Sequence, residues 1–335
     1  MGIGAFFASR TFGAIVVAAG VFGGLELAKP RRTVVQELDP VLGWRMLPSQ
    51  HAFDRHLNHA EDVNSFGFRG PEWRVERTPG VARIACLGSS MTFGSTLAYE
   101  DTYPAILERL LGERGTRVEI LNFAVQGYML EQSLRSYRVN VRRFRPDVVL
   151  LAIADQEIKP METFGVAHCA DLRPWLVRTE YYRRVVLGGS AGLPPERPLP
   201  PSLVAEKRKK NEELNAKLAG KPASPELAPL WYRARDTMES LRGEVAGDGA
   251  RLAITVLCQR PQALGLVEFG PDVVWRDFAK GRERCEYVDV VHDLQTAMKE
   301  GELYQTDDPG HFAERGMRVI AAALARELPR LLPAQ

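Results

Sequence analysis

The stretch RIACLGSSMTFG, Arg83 to Gly94, decides how this chain reads: an apolar run, Ile84-Ala-Cys-Leu87, breaks into Gly88-Ser-Ser90 and then into residues able to open a helix. A short continuous apolar run bounded by glycine has the grammar of a strand buried on both faces, and such strands belong to parallel sheets. In open parallel sheets ligands and reactive groups collect at the carboxyl ends of the strands. A hydroxyl at Ser90 therefore falls where chemistry is done. Further strand candidates follow the one at Ala82 to Leu87: Val118 to Asn122, Asp147 to Ile153, Arg251 to Leu257 and Glu286 to Val291, with helical stretches between them. This alternation predicts an α/β fold with a doubly wound sheet.

The helices announce themselves by their own signals. Asp101 or Thr102 can cap a helix with Pro104 in its first turn and Ile106, Leu107, Leu110 and Leu111 on one face. From about Ala313 the apolar residues Met317, Ile320, Ala321, Leu324 and Leu328 recur at three- and four-residue spacings, which predicts a terminal helix with a core-facing stripe.

With 335 residues, 45% of them hydrophobic and 26% charged, the chain has material for one large globular domain plus additions. Its formal net charge is only +2, so no global field draws it to nucleic acid. The basic cluster Lys207 to Lys210 is flanked by Glu206, Glu212 and Glu213 without interleaved aromatics, which reads as a solvated helix face. Four scattered cysteines, Cys86, Cys169, Cys258 and Cys285, form no CxxC pair and no zinc spacing, and nothing calls for a metal or cofactor.

The two ends of the first eighty residues differ in kind. Thr11 to Leu27 carries one charge, Glu26, and is bracketed by Arg10 and by Lys29, Arg31 and Arg32. A spanning helix needs about 17 to 25 mostly apolar residues, so residues 1–29 read as a membrane anchor or signal segment, the anchor being favoured because Glu26 suits a cleavage site poorly. The basic residues after the segment favour a cytoplasmic body, against the periplasmic or extracellular location such anchors usually serve, so both sides stay open. Residues 30–80 show turn chemistry without periodicity and read as an irregular or short-stranded extension. The body is then 81–333, interrupted at 159–228 by an insertion that contains the proline-rich Gly192 to Ser202.

A serine hydroxyl is a weak nucleophile and needs a base, itself oriented by a third group. Six histidines are available. His51, His56 and His59 lie in the extension, His168 at the start of the insertion, and His292 between Asp289 and Asp293. His311 is best placed, in the polar turn Thr306-Asp-Asp-Pro-Gly-His311 before the terminal helix, where Asp308 can curl back to its ring.

On these residues the chain resembles the SGNH or GDSL-type hydrolases over roughly Arg83 to Ile158 and Leu230 to Leu332. GSSMTFG (Gly88 to Gly94) is similar to the family's first block, LNFAVQGY (Leu121 to Tyr128) to the second and DDPGHFAERGMRVIAAAL (Asp307 to Leu324) to the last, with Gly316 continuing the pattern. The resemblance implies a three-layer, flavodoxin-like parallel sheet of about five strands. It implies Ser90 as nucleophile, Asp308 and His311 as its partners, and the backbone N–H groups of Ser90 and Gly127 as oxyanion donors. Two positions depart from the pattern: Ser89 stands where the family has aspartate, and Gln156-Glu157 where it has Asn-Asp. Gln156 keeps the amide of the missing asparagine on a longer stem. NSFGFRG (Asn64 to Gly70) is similar to an element that extended, often membrane-tethered members carry before the first block.

The expected activity is cleavage or transfer of an acyl ester on a glycan or lipid, with the insertion as a lid. The alternative is a binding module for acylated glycan that has lost turnover through the exchange at Gln156.

Overall fold

The computed structural model describes residues 36–39, 41–54, 59–161, 201–221, 223–267, 270–306 and 308–333. The apolar segment Thr11 to Leu27, His56, His168, Cys169 and most of the insertion lie outside them. Two antiparallel hairpins come first, β1 (Gln36–Asp39) with β2 (Gly43–Met46) and β3 (Gln50–Asp54) with β4 (His59–Val63). The body follows as β5 (Ala82–Leu87), the single-turn helix α1 (Ser90–Phe93), α2 (Tyr103–Glu113), β6 (Val118–Asn122), α3 (Leu130–Ser136) and β7 (Val148–Ile153). After the insertion come α4 (Pro201–Gly220), α5 (Ala228–Gly247), β8 (Arg251–Val256), α6 (Arg260–Ala263), α7 (Pro271–Ala279), β9 (Cys285–Tyr287), α8 (Val291–Met298) and α9 (Glu314–Glu327).

The five body strands form one parallel sheet in the order β6-β5-β7-β8-β9. This is the doubly wound arrangement whose switch point falls beside its first strand. Every residue of β5 and β7 is buried, as a sheet covered on both faces requires. Helix α2 packs on α9 and α3 on α5, which supplies the two outer layers. The stripe Met317, Ile320, Ala321, Leu324 and Leu328 is buried as its spacing predicts.

The extension is built into the body. Phe66, Phe68 and Trp73 join Phe123 and Phe144 in one aromatic cluster, with neighbouring centroids 4.9 to 6.3 Å apart. Arg83, buried at the start of β5, donates to the carbonyls of Arg74, Val75, Glu76 and Phe144 and pairs with Glu119 at 2.7 Å. A buried guanidinium is tolerated only when its donors are taken, and here the chain entering the sheet takes them.

Local chemistry shifts two expectations. The fifth strand ends at Tyr287, because Asp289 Oδ1 accepts the N–H groups of Val291 and His292 and opens α8 there. The Thr102 hydroxyl bonds back to the Tyr99 carbonyl at 2.7 Å instead of capping α2. Among the described residues no helix is long and apolar enough to cross a membrane.

Gly316 in α9 has a steric reason: a Cβ there would sit 2.6 Å from the Leu303 carbonyl oxygen and 2.7 Å from the Phe312 ring. Gly316→Ala should destabilise the fold by about 1–3 kcal/mol, as overpacking does. Chemical denaturation of the two proteins checks this, and equal midpoints would show that the helix can withdraw without cost.

Candidate active site

Strand β5 delivers Ser90 by ending in a residue without a side chain. A Cβ on Gly88 would lie 2.8 Å from the Ala152 carbonyl of β7 and would also collide with Thr92. The chain then coils once: the Phe93 N–H reaches Ser89 O at 2.8 Å, the Gly94 N–H reaches Ser90 O at 3.0 Å, and Gly94 (φ +79°) ends the turn in the left-handed region. Met91, Thr92 and Phe93 face the core, which leaves Ser90 half-buried at the sheet's carboxyl edge.

The base arrives from a hairpin-like loop. Tyr304 and Phe312 pair across it with rings 4.6 Å apart, and the Tyr304 hydroxyl donates to the Cys258 carbonyl just past β8 at 2.6 Å. Between them Asp308-Pro-Gly-His311 turns back on itself, the His311 N–H reaching Asp308 O at 3.0 Å and the Gly310 N–H reaching Asp308 Oδ1 at 3.2 Å. His311 Nδ1 lies 2.6 Å from Asp308 Oδ2 and Nε2 lies 2.7 Å from Ser90 Oγ. With the ring proton kept on Nδ1 and hydrogen-bonded to the carboxylate, Nε2 is free to accept the serine proton. The Asp308 side chain stays 42% exposed and that of His311 23%, so the pair opens toward solvent.

The other histidines stay apart from this geometry. His51 is exposed and bonded to Asp62 in the β3–β4 hairpin, and His292 lies in the first turn of α8; His56 and His168 fall outside the described residues. His59 is in β4. Among the described residues no cluster of His, Cys, Asp and Glu is arranged to hold a metal. Cys86, Cys258 and Cys285 are buried free thiols.

Gly127 sits in a left-handed turn (φ +80°) after β6. The residue before it is clamped: Trp44 Nε1 and Gln36 Nε2 of the first hairpin donate to the Gln126 carbonyl at 3.0 and 3.3 Å. The Gln126 side chain donates to Ser95 Oγ at 2.8 Å, tying this turn to the one that carries Ser90. Gln156 lies half-buried in a 3₁₀ turn, Asp155–Ile158, with its N–H on Asp155 Oδ1 at 2.8 Å. No described residue engages its side-chain amide.

Sequence reasoning missed the group behind that turn. Glu157 is buried and accepts the Ser89 hydroxyl, one residue from the nucleophile candidate. Burial pushes the Glu157 carboxyl up to about 8 and that of Asp155 to about 6, while burial pulls Lys159 down to about 8. Lys159 Nζ in turn donates to Asn211 at 2.7 Å and to Asn215, which docks α4 on the turn. The only sequence signal was three ionisable residues at alternate positions directly after an apolar strand.

No family model and no curated protein matches the chain. Solved structures similar in outline include TesA, at 12% identity over 75% of this chain and 99% of that one, with a TM-score of 0.45. The lipase Lip_vut3 from a goat rumen metagenome is 11% identical over 73% and 97% of the two chains, also at 0.45. A catalytic mutant of the acetylxylan esterase Axe2 from Geobacillus stearothermophilus is 13% identical over 76% and 99%, again at 0.45. At this level of overlap the likeness lends no argument about the site.

Glu157 gives a pH-dependent outcome. Its folded value, about 8, lies above the ordinary 4.5, so the native state holds a proton that the unfolded chain has already released. Stability from this group is complete below the unfolded value and is lost as pH rises through the folded one, a window from about pH 5 to about pH 8. In Glu157→Gln the fall in melting temperature across that window should shrink relative to wild type; parallel curves would refute the assignment.

Proposed function

We propose that the chain is a serine hydrolase that cleaves an acyl ester, or transfers its acyl group, through Ser90, His311 and Asp308. The observation that carries the reading is the continuous relay from Asp308 Oδ2 to His311 Nδ1 at 2.6 Å and from His311 Nε2 to Ser90 Oγ at 2.7 Å. A nucleophile, a base within hydrogen-bond reach and an orienting carboxylate are what acyl transfer by serine requires.

In this mechanism Ser90 Oγ attacks the acyl carbon while His311 Nε2 takes the hydroxyl proton. Negative charge moves to the carbonyl oxygen, where the backbone N–H groups of Ser90 and Gly127 receive it, with the Gln156 amide as a third donor. Collapse breaks the ester C–O bond, and the proton on Nε2 leaves with the alcohol. Water, or a second alcohol, then attacks the acyl-Ser90 ester by the same route in reverse. Asp308 keeps the imidazole in the accepting tautomer and balances the imidazolium.

We take the substrate to be a small acyl ester on a glycan or lipid, met by a body tethered to a membrane through Thr11 to Leu27 on its periplasmic or extracellular side. That part of the reading rests on the sequence of the apolar segment and on the resemblance that accompanies it.

A fluorophosphonate probe followed by peptide mapping should modify Ser90 in the folded protein, and Ser90→Ala should abolish both labelling and hydrolysis of an aryl acetate. Folded protein that leaves Ser90 unmodified would sink the reading. Gln156→Ala should lower turnover about a hundred- to a thousandfold if its amide meets the oxyanion. Turnover unchanged in that variant would confine the oxyanion donors to the two backbone groups.

A further inference from the structure

Arg69 belongs to the extension, yet its guanidinium lies beneath the turn that bears Ser90. The side chain is fully buried, with 0% of the residue exposed. Its Nη1 donates to the carbonyls of Phe93, at 3.1 Å, and Gly94, and its Nη2 donates to the carbonyl of Leu97. The guanidinium carbon stands 5.1 Å from the centre of the Phe93 ring, within cation–π range.

The segment around Arg69 is shaped to deliver that group. Asn64 Oδ1 accepts the N–H groups of Phe66 and Phe68, both at 3.1 Å, and Asn64 Nδ2 donates to the Pro71 carbonyl at 3.0 Å. Gly67 turns with φ +84°. A Cβ on Gly70, where φ is +122°, would sit 2.7 Å from the Tyr99 ring. Phe68 packs on Phe123 at 4.9 Å. Asn64, Gly67, Phe68 and Gly70 thus shape the loop that carries Arg69 to α1.

A single helical turn cannot hold itself. Its nucleation is unfavourable, and the carbonyls at its carboxyl end have no partner within it. Arg69 supplies a partner there, as a cation and planar donor for the carbonyls of Phe93 and Gly94 at the end of the turn and of Leu97 just beyond it. The opposite end of the same turn carries the Ser90 hydroxyl and N–H.

We propose that Arg69 is a positioning residue for the acyl-transfer site: it fixes the height and tilt of the Ser90 turn so that Oγ meets His311 Nε2 while the Ser90 N–H points at the developing oxyanion. The proposal rests on the serine-hydrolase reading above. It differs from a purely structural role in what it predicts for each folded molecule. Displacing a reacting group by about 1 Å costs up to about a hundredfold in rate, so the loss falls on turnover per active site and not on the fraction of sites present.

The test uses the full chain, with active sites counted by stoichiometric fluorophosphonate labelling at Ser90 and turnover measured on an aryl acetate. Wild type that does not label at Ser90 removes the parent reading and this proposal with it. With wild type labelling, Arg69→Ala should lose at least about tenfold in kcat per titrated site, within the loss that misplacement causes, while KM stays within about twofold. Added methylguanidinium should restore part of that rate by refilling the cavity under the turn. Arg69→Lys keeps the charge but not the fork, and should fold with an intermediate kcat that methylguanidinium does not raise. Wild-type kcat per titrated site in a folded Arg69→Lys, or an Arg69→Ala loss that methylguanidinium leaves unchanged, overturns the proposal while the serine-hydrolase reading stands.

Discussion

A hydrogen bond of 2.7 Å between Ser90 Oγ and His311 Nε2 joins two loops 221 positions apart, and most of the architecture serves to make it. The parallel sheet brings the ends of β5, β7 and β8 to one edge. On that edge Gly88 lets β5 pass close to Ala152, and the Cys258 carbonyl receives Tyr304, which holds the His311 loop. The three residues need no long-range electrostatics to find one another, because backbone geometry has already set their separation.

Much of this was legible in the residues. Buried strands such as Val148–Ile153 betray themselves by uninterrupted apolar runs, and α9 by its stripe, since both patterns follow from how many faces an element buries. Ser90, Asp308 and His311 were legible as candidates because Ser90 follows Gly88-Ser89 at a strand end and Asp308 and His311 flank Pro309-Gly310 in a polar turn. Glu157 and Arg69 were not. Their roles depend on contacts across 68 and up to 28 positions, and nothing local distinguishes a buried carboxyl or guanidinium from a solvated one. The end of β9 hides for a related reason: Val288, Val290 and Val291 are buried like strand residues, but Asp289 turns the chain into a helix among them.

The two departures from the pattern of the hydrolases this chain resembles are linked in space. Ser89 and Glu157 hydrogen-bond, so a short hydroxyl and a long carboxyl span the gap together. Gln156 lies in the turn Asp155–Ile158 that this contact ties to the Ser90 segment.

The clamp of Trp44 and Gln36 on Gln126 and the seat of Arg69 under α1 bring the extension to the candidate site, while the carbonyls of residues 74–76 around Arg83 tie it to the other end of β5. Composition suggests a seam near residue 80; the contacts erase it. A fragment cut at that seam would strand Arg83 without the carbonyls of residues 74–76 and Gln126 without the donors of Trp44 and Gln36, so the hairpins and the sheet should unfold as one cooperative unit.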